Sequence, residues 1–70
     1  MKIGYTFRYL NKDDGIMCMI VMGCLDDNDA VRAAVRGFLR PYVTLEIDRD
    51  ERLLWRGSMA DAQAHANAAP

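Results

Sequence analysis

The sequence is poor in the residues that carry most enzyme chemistry. Its 70 residues include one serine (Ser58), one histidine (His65), two threonines (Thr6, Thr44) and two cysteines (Cys18, Cys24). Nucleophilic catalysis needs a nucleophile, a base and an orienting group within reach of one another, and no such set stands out. Ser58 reads better as a helix cap, and His65 sits in an alanine-rich tail. A metal site needs several ligands at characteristic spacing. His65 is alone and there is no CxxC. The acids Asp26, Asp27 and Asp29 lack the glycine and terminal glutamate of an EF-hand loop. Gly15 and Gly23 are isolated, so no glycine-rich loop is present to cradle a phosphate. Glu46 and Asp48 resemble an acid–base pair, but Arg52 and Arg56 beside them suggest surface ion pairs of small value. The expectation is a protein that is not an enzyme and takes no metal and no cofactor.

An excess of charge is also missing. Nine basic residues face ten acidic ones, for a net charge of −1. A generic nucleic-acid binder usually carries a basic surplus. Two cysteines do not make a disulfide framework, and on one strand they stand too far apart to bridge, so both are expected reduced and buried, as in a reducing cytoplasm. The longest apolar run, Ile16 to Leu25, is broken only by Gly23 and has about half the length of a membrane helix. Residues 1–10 carry Lys2 and Arg8 among aromatics, without the apolar core of a signal peptide. With 51% hydrophobic and 27% charged residues the chain reads as one soluble globular domain, and at this size its core is marginal.

What the sequence does contain is patterning. Ile3, Tyr5, Phe7 and Tyr9 recur at period two, the signature of a strand over Ile3–Leu10. A turn cluster follows, read as a four-residue loop Lys12–Gly15 in which Gly15 can supply a left-handed residue. Ile16–Gly23 is apolar at almost every position, which implies a second strand buried on both faces or central in the sheet. The loop then sets Asn11 opposite Ile16, Leu10 opposite Met17, Tyr9 opposite Cys18, Arg8 opposite Met19, Phe7 opposite Ile20, Thr6 opposite Val21 and Tyr5 opposite Met22.

Asp26 is the expected N-cap of a helix from Asp27 to about Leu39. Its apolar stripe is Val31, Ala34, Val35 and Phe38. Gly37 offers an earlier stop at Arg36, but the continuing stripe favours the longer helix. Tyr42–Asp48 alternates again, with Val43, Leu45 and Ile47 on one face. Arg52–Gly57 is the last strand. A three-residue loop, Arg49–Glu51, would place Ile47 opposite Leu53, Leu45 opposite Trp55, Asp48 beside Arg52 and Thr44 beside Arg56, which sorts the two faces. Ser58 and Asp61 resemble a capping box. The expected fold class is α+β: a ββαββ domain over residues 1–58, with a four-stranded antiparallel sheet and one helix across a face. Residues 59–70 form an alanine-rich tail, either a short helix docked through Met59, Ala62 and Ala66 or a partly disordered end.

Two features look functional. Arg32, Arg36 and Arg40 line one side of the helix and could read phosphate or an acidic protein surface. Met17, Met19 and Val21, with Arg8 beside them, form a second surface. If the helix covers the Tyr5–Phe7–Tyr9 side, this opposite face has no obvious cover, and methionine suits adaptable binding surfaces. The sequence leaves open which face the helix takes.

In size, near-neutral charge, lack of catalytic groups and ββαββ outline the chain resembles the small phage-encoded inhibitors of bacterial defence of the anti-CRISPR type. No motif carries that resemblance, and it transfers no residues. It implies a non-enzymatic protein-binding module, a stoichiometric inhibitor or adaptor of a larger bacterial complex, expected in the cytoplasm that the reduced cysteines suggest. The patterning above, not the resemblance, names Arg32, Arg36, Arg40, Met17, Met19, Val21 and Arg8 as the residues expected to make the contact. A homodimer is compatible with this and a membrane is not expected. The alternative is a homodimeric nucleic-acid-binding regulator with its arginine stripes doubled across a two-fold axis.

Overall fold

The computed structural model describes residues 1–38 and 41–68. Its elements are β1 (Ile3–Leu10), β2 (Ile16–Cys24), α1 (Asp27–Arg36), β3 (Thr44–Arg49), β4 (Arg52–Ser58) and α2 (Met59–Ala68). The strands form one antiparallel sheet in the order β2-β1-β3-β4. The fold is thus the expected α+β arrangement of two hairpins and an intervening helix, with α2 appended.

The period-two pattern of β1 places the core. Tyr5, Phe7 and Tyr9 are at most 1% exposed, and Leu45 and Ile47 of neighbouring β3 are fully buried beside them. Burying side chains of this size stabilises by about 1.5–3 kcal/mol each. Both helices pack on this face: Ala30, Val31 and Ala34 of α1 and Ala62 of α2 belong to the same buried cluster. The helix therefore takes the aromatic side, which settles the open question of which face it covers.

Helix α1 begins as its acids predict. The Asp26 carboxylate accepts from the Asp29 N–H at 2.8 Å, and the Asp29 carboxylate accepts from the Leu25 N–H at 3.0 Å. The helix ends at Arg36, not Leu39. The Gly37 N–H bonds back to the Ala34 carbonyl and the Phe38 N–H to the Val35 carbonyl, both at 3.1 Å, which tightens the last turn into three-residue steps. Phe38 still reaches the core from that turn and meets Tyr9 edge-to-face, with ring centroids 5.7 Å apart. A continuous apolar stripe did not require a continuous helix.

Five other local expectations are corrected. First, β2 is an edge strand, and Ile16, Met17, Met19, Val21 and Met22 are exposed. An all-apolar run does not distinguish a strand buried by its own chain from one left open. Second, the β1–β2 register agrees from Tyr5–Met22 to Tyr9–Cys18, but a bulge then sets Leu10, not Asn11, opposite Ile16, and leaves Met17 unpaired with Leu10. Third, the left-handed residue of that turn is Asp14 (φ 63°), not Gly15. The Asn11 side chain accepts the Asp13 and Gly15 N–H groups and holds the turn in this shape.

Fourth, β3 starts at Thr44. Val43 is exposed, while Tyr42 turns inward and stacks on Tyr9 at 5.1 Å. Fifth, the β3–β4 loop has two residues, Asp50 and Glu51, both at positive φ (50° and 68°). This gives a primed turn, whose twist matches that of the flanking strands. A bulge at Leu54 then restores the face sorting. Ile47 faces Trp55, Leu45 faces Gly57, Asp48 faces Leu53, Glu46 faces Arg56 and Thr44 faces Ser58.

Helix α2 follows β4 without a linker. The Asp61 N–H donates to the Ser58 hydroxyl at 3.2 Å and the Ser58 N–H to the Asp61 carboxylate at 3.3 Å, a reciprocal capping box. The helix docks through fully buried Ala62 and partly buried Met59 and Ala66, the three residues the sequence suggested.

Candidate interaction surface

With both helices on one side, the other side of the sheet is bare. Side chains of β1 alternate across the sheet, so Thr6 and Arg8 point to this open face. The register brings Val21 and Met19 of β2 beside them and Asp48 and Glu46 of β3 on their other flank. Arg56 of β4 completes the row opposite Glu46. The open face therefore has two halves, apolar on the β2 side and charged on the β3–β4 side.

The charged half is internally matched. Arg8 grips Asp48 with two nitrogens, Nη1 to Oδ2 at 2.6 Å and Nη2 to Oδ1 at 2.7 Å, and donates Nε–H to Glu46 Oε1 at 3.1 Å. Glu46 Oε2 accepts from Arg56 Nη1 at 2.5 Å, and Arg56 Nη2 donates to Asp14 at 2.9 Å. Arg8, Glu46 and Asp48 have side chains only 15–19% exposed, so water screens these pairs less than typical surface pairs. The hydrogen bonds from Arg8 hold the Asp48 carboxyl below its usual range, and those to Asp48 push the Arg8 guanidinium above its own. Sequence reasoning placed Arg52 beside Asp48 and missed Arg8 as its partner. Arg52 instead faces Arg49.

The apolar half is unshielded. Met17 is 45% exposed, Met19 54% and Val21 77%, with Ile16 at 57% at the same end of β2. Four of the expected site residues, Met17, Met19, Val21 and Arg8, thus lie on or at the edge of one surface. Arg8 sits at its centre with its charge already spoken for by two carboxylates. Arg32 and Arg36 lie elsewhere, on the side of α1 turned away from buried Ala30, Val31 and Ala34. Arg32 is half-buried and Arg36 exposed. Arg40 falls outside the described residues. The two sequence-predicted surfaces are therefore separate, on opposite sides of the molecule.

Elsewhere among the described residues the groups that could do chemistry are occupied or isolated. A hollow of about 260 Å³ is lined by Asp27, Asn28, Val31, Leu54, Trp55 and His65, below the usual range for small-molecule pockets. Its carboxylate, Asp27, already accepts from Tyr5 Oη at 2.7 Å and from Arg49 at 3.2 Å. Among the described residues no three His, Cys, Asp or Glu side chains converge as metal ligands would. Among them, too, no helix is long and apolar enough to cross a membrane. Cys24 is buried, and burial raises its thiol pKa. Cys18 is half-buried, less covered than expected. No family model, no curated protein and no solved structure matches this chain, so its function is read from its own surface.

Proposed function

We propose that this protein is a non-enzymatic binding module that docks a protein partner on the apolar half of its open sheet face, as a stoichiometric inhibitor or adaptor of a larger complex. One observation carries the reading: Met17, Met19 and Val21 stand exposed side by side where neither helix covers them. Desolvating such side chains contributes about 25 cal/mol per Å², and methionine adapts its shape to what it meets. The flanking charges are already paired within the chain, so a partner need not supply compensating charge at Arg8. The inhibitor class rests on the resemblance in size and outline to phage-encoded anti-defence proteins.

The test compares Met19→Asp with Arg36→Glu in capture of a partner by the immobilised protein. Met19→Asp is expected to keep the wild-type circular dichroism and lose the partner, and Arg36→Glu to retain it. Normal capture by Met19→Asp overturns the assignment. Loss with Arg36→Glu alone, together with binding that falls steeply with salt, would support the nucleic-acid alternative.

A further inference from the structure

We infer that the free edge of β2 pairs antiparallel with β2 of a second copy, joining two sheets into one of eight strands. This pairing uses backbone groups at the sheet edge and is independent of the side-chain contact proposed above. The direction of the β1 backbone determines which groups those are. The Gly4 carbonyl accepts from Asp50 N–H at 3.4 Å and the Leu10 carbonyl from Val43 N–H at 2.9 Å. Even-numbered β1 residues therefore turn their peptide groups toward β3. Because bonding direction alternates along an antiparallel strand, Tyr5, Phe7 and Tyr9 exchange bonds with their β2 partners Met22, Ile20 and Cys18. It follows that Met19, Val21 and Gly23 direct their N–H and C=O groups away from the sheet.

Exposed edges of this kind are usually blunted by charge, proline or bulges. The other edge, β4, is so protected: it carries Arg52 and Arg56 and a bulge. Strand β2 has no charged residue and no proline from Ile16 to Cys24, and its bulge lies at one end, leaving Cys18–Cys24 regular.

The occupant that fits this edge is another copy of it. A two-fold axis through Val21 sets Val21 against Val21 and Met19 against Gly23, over which the Lys2 side chain lies, so the methionine meets the aliphatic stem of a lysine. No like charges meet across the axis, because the strand carries none. The joined edges align Met19 and Val21 of both copies in one apolar row. A stable interface needs at least about 600 Å² per partner, roughly an eighth of the chain's 4564 Å² surface. Strand β2 supplies nine of 70 residues and meets its copy along one edge only, so the pairing falls at or below that size. It belongs to the weak, transient class of contacts, with a Kd expected on the order of tens of micromolar.

The test is mass by light scattering on a sizing column, loaded from about 1 to about 300 µM to bracket that Kd, together with hydrogen exchange at the two ends of the range. The wild type should move from 7.9 kDa toward twice that value as concentration rises. The amides of Met19, Val21 and Gly23 should gain protection with it, while those of Cys18, Ile20 and Met22 stay protected throughout. Val21→Pro removes an outward N–H that the β1–β2 ladder does not use, and Val21→Lys puts like charges on the axis. Each should hold the chain at 7.9 kDa with unchanged circular dichroism. If the proline variant fails to fold, the lysine variant alone decides. A wild type that stays monomeric throughout overturns the inference, as does a dimer that survives Val21→Lys. Either result leaves the open-face contact standing, because that is read by capture with Met19→Asp.

Discussion

The hydroxyl of Tyr9 fills the space where Gly37 would carry a side chain: a Cβ built there lies 2.7 Å from it. That hydroxyl donates to the Ala34 carbonyl at 2.6 Å inside the core, so one tyrosine both caps the last turn of α1 and fixes the residue that follows. Gly37→Ala is expected to destabilise the protein by about 1–3 kcal/mol through overpacking. In a Tyr9→Phe background the same change should cost less, because the clashing oxygen is gone. Urea unfolding of the two single variants and the double variant measures that coupling.

The Asp50-Glu51 turn is the place to gain stability. Both residues hold positive φ, a conformation that costs an ordinary residue about 1–2 kcal/mol. Glu51→Gly is expected to raise stability by about 1 kcal/mol, after allowing for the entropy glycine adds to the unfolded chain. A higher urea midpoint with an unchanged slope is the expected signature.

Breaking the charged half of the open face should be costly and acid-sensitive. Asp48→Asn leaves Arg8 without its two-pronged partner and is expected to cost about 1–3 kcal/mol at neutral pH. The Asp48 carboxyl titrates lower in the fold than in the unfolded chain. Its stabilisation is therefore complete above the ordinary carboxylate range and is lost as pH falls through the lower folded value. The stability gap between wild type and Asp48→Asn should shrink on acidification, measured by denaturant unfolding at several pH values.

Alkali attacks the opposite side of the sheet. Burial, assisted at Tyr5 by the hydrogen bond to Asp27, pushes Tyr5 up to about 12, and burial does the same for Tyr9. An unfolded tyrosine titrates near 10, so the unfolded state loses its protons first as pH rises. The stabilisation is full below pH ~10 and is lost as pH climbs toward about 12, at roughly 3 kcal/mol per residue. Against a total stability of about 5–15 kcal/mol, this predicts cooperative alkaline unfolding in that window. Tyrosinate absorbance and circular dichroism should change together.

Much of the fold was legible because its local signals agree. Alternation at Tyr5, Phe7 and Tyr9 marked β1 and sorted its two faces, and the expected turn, offset by the bulge beside it, led to most of the β1–β2 register; which face the helix covers stayed open. Asp26 marked the start of α1, and Met59, Ala62 and Ala66 marked the docking side of α2. What escaped was non-local. Nothing in Ile16–Cys24 distinguishes an edge from a centre, since that depends on which strand takes the other side of β1. The turn at Asp50 and Glu51 hid because Glu51 is a poor candidate for positive φ, and the bulge at Leu54 compensated a loop length that otherwise mixes the faces. The same limit applied to the surface. That Arg8 and Met19 share a face follows from the hairpin, but that Asp48 and Glu46 grip Arg8 depends on β3 pairing with β1 from 38 and 40 residues away.

Helix α2 rests on the core mainly through a methionine and two alanines. Alanine favours the helical state but offers little apolar area, so α2 is firm as a helix and lightly held as a layer. The first cooperative unit to open should therefore be α2, peeling back from the Ser58 cap while the four strands and α1 persist. Trp55, half-buried with His65 ring-to-ring at 6.1 Å, lies under the lifted helix. Its fluorescence would register this opening below the free energy of global unfolding, making the carboxyl-terminal layer the molecule's own gauge of sub-global motion.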